Sequence, residues 1–287
     1  MTGIDDGDSE VPNADDRDSE DPNADTQYHL DITDDDVADS VLLPGNPDRV
    51  EKITAVWDSA ERVAAHREYR TATGTYRETP ISVTSTGIGG PSTAIALEEL
   101  ARVGADTFIR VGSCGTVDPD IAVGDLVITS GAMRQEGTSS EYIDETYPAT
   151  ADHEVVTALV AAAERLGHDY HVGTTLSTDS FYAGQARPGF EGYEAPGSED
   201  LLATLKSANV ANIEMEAATV LTLASLYGLR AGAVCTVYAN RETGEFETVG
   251  ESRAAETASL AVALLAEMAA VKREADADRW HAGLTLE

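Results

Sequence analysis

Lysine is almost missing from this chain. It stands at only Lys52, Lys206 and Lys272, and the nineteen basic residues face fifty-two acidic ones, giving a formal net charge of −33. So little positive charge argues against nucleic-acid binding by phosphate neutralisation, and against docking on anionic lipid. Cysteine is scarce as well. Cys114 and Cys235 are the two present, far apart and without metal-ligand spacing. That excludes a disulfide framework, and buried free thiols in a reducing cytosol account for the pair better than a single bridge. No run approaches the roughly eighteen consecutive apolar residues of a membrane span. Met1 to Asp8 lack the basic-then-apolar order of a secretory signal. The expectation is a cytoplasmic globular protein.

What the chain has in quantity is acid, spread along its whole length. Such a surface stays hydrated where salt screens repulsion, so it predicts a high-salt cytoplasm. An acidic protein seeking one basic partner would instead concentrate its charge in a patch. A length of 287 residues with 42% hydrophobic content supports a sizeable core. Residues 1–26 read as an acidic tail with an internal repeat: Asp18-Ser19-Glu20-Asp21-Pro22-Asn23-Ala24-Asp25 echoes the segment from Asp8 to Asp15. With almost no apolar residues it cannot offset the entropy of ordering, so disorder is expected there.

From Tyr28 onward short apolar runs alternate with helical patterns. Strands are expected at 41–43, 81–86, 107–111, 125–129 and 231–238. Helices are expected at 48–57, 91–103, 153–166, 217–227 and 251–271. The alternation predicts an α/β layered fold with one central mixed sheet, and nothing divides residues 27–287 into separate units. Several glycine turns follow directly after strands, where ligands collect in such folds.

Four segments carry chemistry. In Pro44-Gly45-Asn46-Pro47-Asp48-Arg49, a glycine allows close backbone approach to an anion and a helix start offers N–H groups. An ordinary strand–turn–helix connection, with Arg49 paired to Asp48 or Glu51, accounts for the same residues. Arg110 falls inside the apolar strand Phe108-Ile109-Arg110-Val111, where an unpaired arginine is costly, and Gly112-Ser113-Cys114-Gly115 follows as a turn. A buried structural ion pair is the alternative. In Glu214-Met215-Glu216 two carboxylates flank a methionine at a strand-to-helix junction, and the helix dipole is expected to keep Glu216 ionised. A carboxylate there suits the vicinal hydroxyls of a ribose; plain helix-start glutamates are the other reading. Phe181, Gln185 and Arg187 offer a stacking surface beside donors that match a lactam edge. Taken alone, that loop is ordinary surface polarity.

In order, these segments resemble the nucleoside phosphorylase-I family, and within it the uridine phosphorylases. The likeness covers residues 28–271 and is sharpest in Leu43-Pro44-Gly45-Asn46-Pro47-Asp48-Arg49-Val50, Ser85-Thr86-Gly87-Ile88-Gly89-Gly90-Pro91-Ser92 and Glu214-Met215-Glu216. The resemblance implies a single-domain three-layer α/β/α fold. It also implies reversible cleavage of a nucleoside by inorganic phosphate, giving free base and ribose 1-phosphate. It assigns phosphate to Gly45, Arg49, Arg110 and Ser113, with Arg67 from a neighbouring subunit. Ribose falls to Glu216 and Met215, with His29 reaching across the interface, and the base to Phe181, Gln185, Arg187 and Arg241. Catalysis is expected from Arg187, Gln185, Arg110 and Glu216. Glu68, Ile88 and Ser92 match positions for a monovalent cation such as K+ at a dimer interface, and a homo-oligomer, a dimer at least and a hexamer in full, is implied. No further cofactor is required.

Uracil and guanine present the same lactam edge, so Gln185 and Arg187 do not separate them. Uridine is favoured over guanosine or another 6-oxopurine nucleoside. The strand Ala233-Val234-Cys235-Thr236-Val237 looks more like the purine-acting branch, whose aspartate is absent around Tyr238-Ala239-Asn240. Other classes are a hydrolytic nucleosidase, which needs no phosphate arginines, and a noncatalytic nucleoside-binding protein.

Overall fold

The structure is a computed structural model that describes residues 26–284. Apart from its last residue, the acidic tail assigned to residues 1–26 lies outside that range. The described chain runs β1 (Ser40–Leu43), α1 (Arg49–Thr54), β2 (Ser59–His66), β3 (Tyr69–Tyr76), β4 (Thr79–Thr84), α2 (Gly90–Arg102), β5 (Thr107–Thr116), β6 (Leu126–Gln135), α3 (Thr138–Tyr142), β7 (Ala149–Thr150), α4 (His153–Leu166), β8 (Tyr170–Thr178), α5 (Ser198–Ser207), β9 (Val210–Glu214), α6 (Ala217–Leu226), β10 (Arg230–Asn240) and α7 (Glu251–Glu274). All ten strands join one mixed sheet in the order β10-β6-β8-β9-β5-β1-β4-β3-β2, with β7 on β6. Because β10 also pairs with β5, strands β5, β10, β6, β8 and β9 close into a ring within the sheet. The mixed α/β fold is as the sequence indicated.

Two apolar clusters cover the two faces. One packs Val50, Ile53, Leu159, Leu264 and Met268 from α1, α4 and α7 against Leu42, Ile109 and Val234. The other packs Leu97, Leu100, Val220 and Leu223 from α2 and α6 against Val41, Leu43 and Phe108. Strand β1 thus alternates faces residue by residue, as a pleat buried on both sides must. Helix α7 is long and apolar enough to cross a membrane, with a window of mean hydropathy 1.5, yet 67% of that window is buried against the sheet and α4. It is a core helix.

Several boundaries differ from expectation. Helix α1 is six residues long and stops at Thr54, short of Trp57. Strand β5 runs ten residues, through Gly112-Ser113-Cys114-Gly115, because those residues pair with Cys235 to Ala239 of β10 across a bulge at Tyr238. The segment read as a turn after Val111 is therefore ladder, and its backbone is committed to the sheet.

Candidate active site

The carboxyl ends of β1, β5, β9 and β10 meet around a cavity of about 280 Å³. Its walls include Gly45, Arg49, Arg110, Ser113, Phe181, Gln185, Arg187, Met215 and Glu216. Nine of the residues predicted for phosphate, ribose and base, drawn from four separate stretches, thus share one space, and Ile88 of the predicted cation set lines it too.

The floor is an arginine held between two carboxylates. Arg110 Nε donates to Glu214 Oε2 at 2.6 Å, and its Nη2 pairs with Glu216 Oε2. Burial alone discourages charge on Arg110, but Glu216 and Glu214 hold its guanidinium firmly protonated. The side chain folds back over Gly112, where an added Cβ would stand 2.9 Å from Arg110 Nη2 and 2.8 Å from Cys235 Sγ. Only glycine leaves that room. Glu214 also accepts the backbone N–H groups of Glu216 and Ala217 at 2.8 and 2.9 Å, and Ser177 Oγ donates to its other oxygen. It is therefore Glu214, not Glu216, that satisfies the start of α6.

Glu216 is fixed from two sides. Gly89, at φ +93°, turns its N–H onto Glu216 Oε1 at 2.6 Å, and Arg110 holds the other oxygen. Burial pushes the Glu216 carboxyl upward. Neighbouring Glu214 adds to the rise, while Arg110 and the Gly89 N–H oppose it.

Arg49 approaches from α1. Its Nη2 lies 3.2 Å from Ser113 Oγ and 3.4 Å from the Tyr238 hydroxyl. Free backbone donors at the start of α1 were expected here, but they are used locally. Asp48 N–H goes to Asn46 Oδ1, Arg49 N–H to Asn46 O and Val50 N–H to Pro47 O. The anion-binding capacity of this corner rests on guanidinium groups, the Ser113 hydroxyl and the backbone of Gly45 in the cavity wall.

The opposite end is a loop. Phe181 stacks under the Arg187 guanidinium, with 4.5 Å from Cζ to the ring centroid, and burial lowers the Arg187 pKa. Arg241 does not line the cavity. It donates from Nη1 to Gln185 O at 2.7 Å and from Nη2 to Ala186 O at 3.1 Å, clamping the loop that carries Gln185 and Arg187. The role of a base contact is thus replaced by that of a brace.

Within one chain His29 and Arg67 also stay outside the cavity. His29 Nδ1 donates to buried Glu99 at 2.6 Å, and Arg67, in the two-residue turn between β2 and β3, is exposed with its guanidinium over Tyr28. Glu68, Ile88 and Ser92 line a neighbouring opening beside Gly87. A Cβ at Gly87 would lie 2.9 Å from Glu68 Cγ and 3.1 Å from Ser92 Oγ, so those two side chains converge there. Among the described residues no cluster of three His, Cys, Asp or Glu side chains forms a metal site.

Tyr238 and Phe246 line the cavity without having been singled out from the sequence. Tyr238 had a signal, since it closes the strand expected at 231–238; in the structure it falls at the bulge where β10 passes Cys114 and Gly115 of β5. Phe246 had none, because it reaches the site through an isolated bridge to Ala239.

Residues 39–266 match the model of the phosphorylase superfamily. A uridine phosphorylase of Thermococcus kodakarensis is 58% identical over 258 residues, covering 90% of this chain and 93% of that protein. A guanosine phosphorylase of Halorubrum lacusprofundi is 44% identical over 218 residues, 76% of this chain and 85% of that protein. A uridine phosphorylase of Escherichia coli is 42% identical over 245 residues, 84% and 96% of the respective lengths.

Proposed function

Since the chain belongs to the phosphorylase superfamily and is a nucleoside phosphorylase, a pentosyltransferase with phosphate as co-substrate, we propose that it splits uridine to uracil and ribose 1-phosphate. Phosphate is held by Gly45, Arg49, Arg110 and Ser113. Glu216 and Met215 grip the ribose hydroxyls. Phe181 stacks on the base while Gln185 and Arg187 meet its lactam edge, with Arg241 bracing that loop. The observation that carries this arrangement is the meeting of Arg49, Ser113 and Arg110 in one cavity beside Glu216.

The chemistry needs no covalent catalyst. As the bond from C1′ to the base nitrogen lengthens, its electron pair moves onto the base and the sugar becomes oxocarbenium-like. A phosphate oxygen on the opposite face then forms the new bond to C1′. Arg187 and Gln185 stabilise the charge gathering on the departing base, a type of contact worth about 3–4 kcal/mol in a dry site.

Uridine is favoured by the relative at 58% identity that is named for it. Guanosine is the second reading, favoured by the relative at 44% and by a lactam edge common to both bases. Phosphorolysis rates for uridine, thymidine, guanosine, inosine and adenosine decide between them. Uridine is expected to lead and adenosine to be poor; a larger kcat/KM for guanosine overturns the assignment.

Charge supports a second copy of the chain at the site. Three arginines against two glutamates line the cavity, a small surplus for a phosphate dianion. Arg67 from a neighbour adds to it, and His29, oriented by Glu99, meets the 5′-hydroxyl; a dimer is thus the minimal active unit, and a hexamer the full assembly. The carboxylate of Glu68, the carbonyl of Ile88 and the hydroxyl of Ser92 are hard oxygen donors suited to K+, with remaining ligands from the second copy. Free buried thiols at Cys114 and Cys235 suit a reducing cytoplasm, and the dispersed acid suits high salt.

A further inference from the structure

Arg49 has a carboxylate behind it that contributes nothing to the cavity wall. Glu251, the first residue of α7, lies 202 residues away in sequence, yet its Oε1 accepts Arg49 Nε at 2.6 Å and its Oε2 accepts Lys52 Nζ at 2.6 Å. Arg49 and Lys52 are three apart on α1, so both project from one face toward the same carboxylate. The backbone of Glu251 is itself pinned. Gly250 before it sits at φ +72° and accepts Thr236 Oγ1 at 3.0 Å, and a Cβ there would stand 2.9 Å from Thr236 Cγ2 and 3.0 Å from Gly124 O. The start of α7 is thereby locked onto β10, two residues before Tyr238.

A guanidinium is planar, so fixing Nε fixes the direction of its two Nη groups. With Nε engaged by Glu251, Nη2 is aimed at Ser113 Oγ and the Tyr238 hydroxyl, into the cavity. Glu251 itself lines a separate apolar hollow of about 350 Å³ on the far side of Arg49, with Ile53, Val56, Val111 and Ala255. It does not reach the reacting atoms. Charge makes the same distinction. Arg49 and Glu251 together are neutral, a poor host for a dianion, and Lys52 restores one positive charge to the group. In a chain with only three lysines, one stands here.

We infer that Glu251 is a positioning residue for Arg49 in phosphate binding and that Lys52 is its charge compensator. The inference rests on the reading that Arg49 holds phosphate, and it adds a device that joins the start of α7 to the phosphate corner.

Steady-state kinetics test it, with phosphate and nucleoside varied separately for Arg49→Ala, Glu251→Ala, Glu251→Gln, Lys52→Met and the Arg49→Ala/Glu251→Ala double variant. Glu251→Ala is expected to raise KM for phosphate about tenfold, the size of one charged hydrogen bond. The nucleoside KM should stay within about twofold, a split that a merely structural role does not produce. Glu251→Gln should recover most of the loss, because its amide oxygen still accepts from Nε. Lys52→Met, at an exposed position, should raise phosphate KM about threefold by leaving Glu251 uncompensated. The double variant should be no worse than Arg49→Ala alone, since the two residues act as a unit. If Arg49→Ala raises phosphate KM while Glu251→Ala and Lys52→Met leave it unchanged, this inference fails and the phosphate reading stands. If Arg49→Ala itself leaves phosphate KM unchanged, the phosphate reading fails first. A rise in both KM values together, unrescued by glutamine, also overturns it; should Glu251→Ala not fold, the Glu251→Gln and Lys52→Met results decide alone.

Discussion

The two ends of the cavity are built differently. At the sheet, Arg110, Glu214 and Glu216 are 4%, 2% and 4% exposed, and each is tied to strands or to a helix start. At the other end, Phe181 on its loop and Phe246 in the segment after β10 are 48% and 70% exposed, and Arg187 is steadied mainly by the ring beneath it. The end proposed for sugar and phosphate is tightly tied because buried charges must be fully paired to exist there at all. The base end is a loop braced at one point by Arg241. On the proposed reading, chemistry common to a family sits on the first, and the choice of base falls to the second. A uridine-named and a guanosine-named relative both align with this one chain, in keeping with that division.

The largest expected effect breaks the tightly tied end. Glu214→Ala strands part of the Arg110 charge and removes the acceptor for two N–H groups of α6. It should cost about 3–5 kcal/mol of stability, read from urea unfolding, along with nearly all activity. A cost below 1 kcal/mol, on the order of a surface substitution, would mean the network is not tightly paired.

Next comes the loop. Arg187→Ala should lower kcat by roughly a hundredfold to a thousandfold, with the phosphate KM and the melting temperature nearly unchanged. An equal loss in phosphate binding would erase the division between the two ends. Arg241→Ala should act through Gln185 and Arg187, raising nucleoside KM about tenfold while sparing phosphate KM; no change in nucleoside KM would show that the loop keeps its shape without the brace. The smallest effect should come from Phe181→Leu, about a threefold to tenfold rise in nucleoside KM from lost stacking. If that variant instead shifted phosphate KM, the stacking role would be wrong.

Legibility in the sequence follows the same line between local and distant causes. Helix α4 could be bounded to the residue, because Asp152 caps its N–H groups and Gly167 at φ +68° ends it, both local signals. The Glu214-Met215-Glu216 junction was legible too, as strand β9 passes directly into α6. Strands β2 and β3 were not: β2 is exposed along most of its length and shows no apolar alternation. The residues after Val111 carry turn-like glycines, and only their pairing with β10, more than a hundred residues on, makes them strand. Separation in sequence also hid the brace made by Arg241, 56 and 55 residues from its partners Gln185 and Ala186, and the clamp made by Glu251, 202 residues from Arg49. Residue types at a site can be read from spacing, whereas which nitrogen of an arginine faces substrate depends on partners brought by the fold.

A crystal structure of the protein with phosphate and uridine tests the central claim most directly. The prediction is a phosphate whose oxygens lie about 3 Å from the Arg49 and Arg110 guanidinium groups and Ser113 Oγ, with the uracil edge on Gln185 and Arg187. A phosphate bound elsewhere, with Arg49 and Arg110 making no contact to it, would contradict the account.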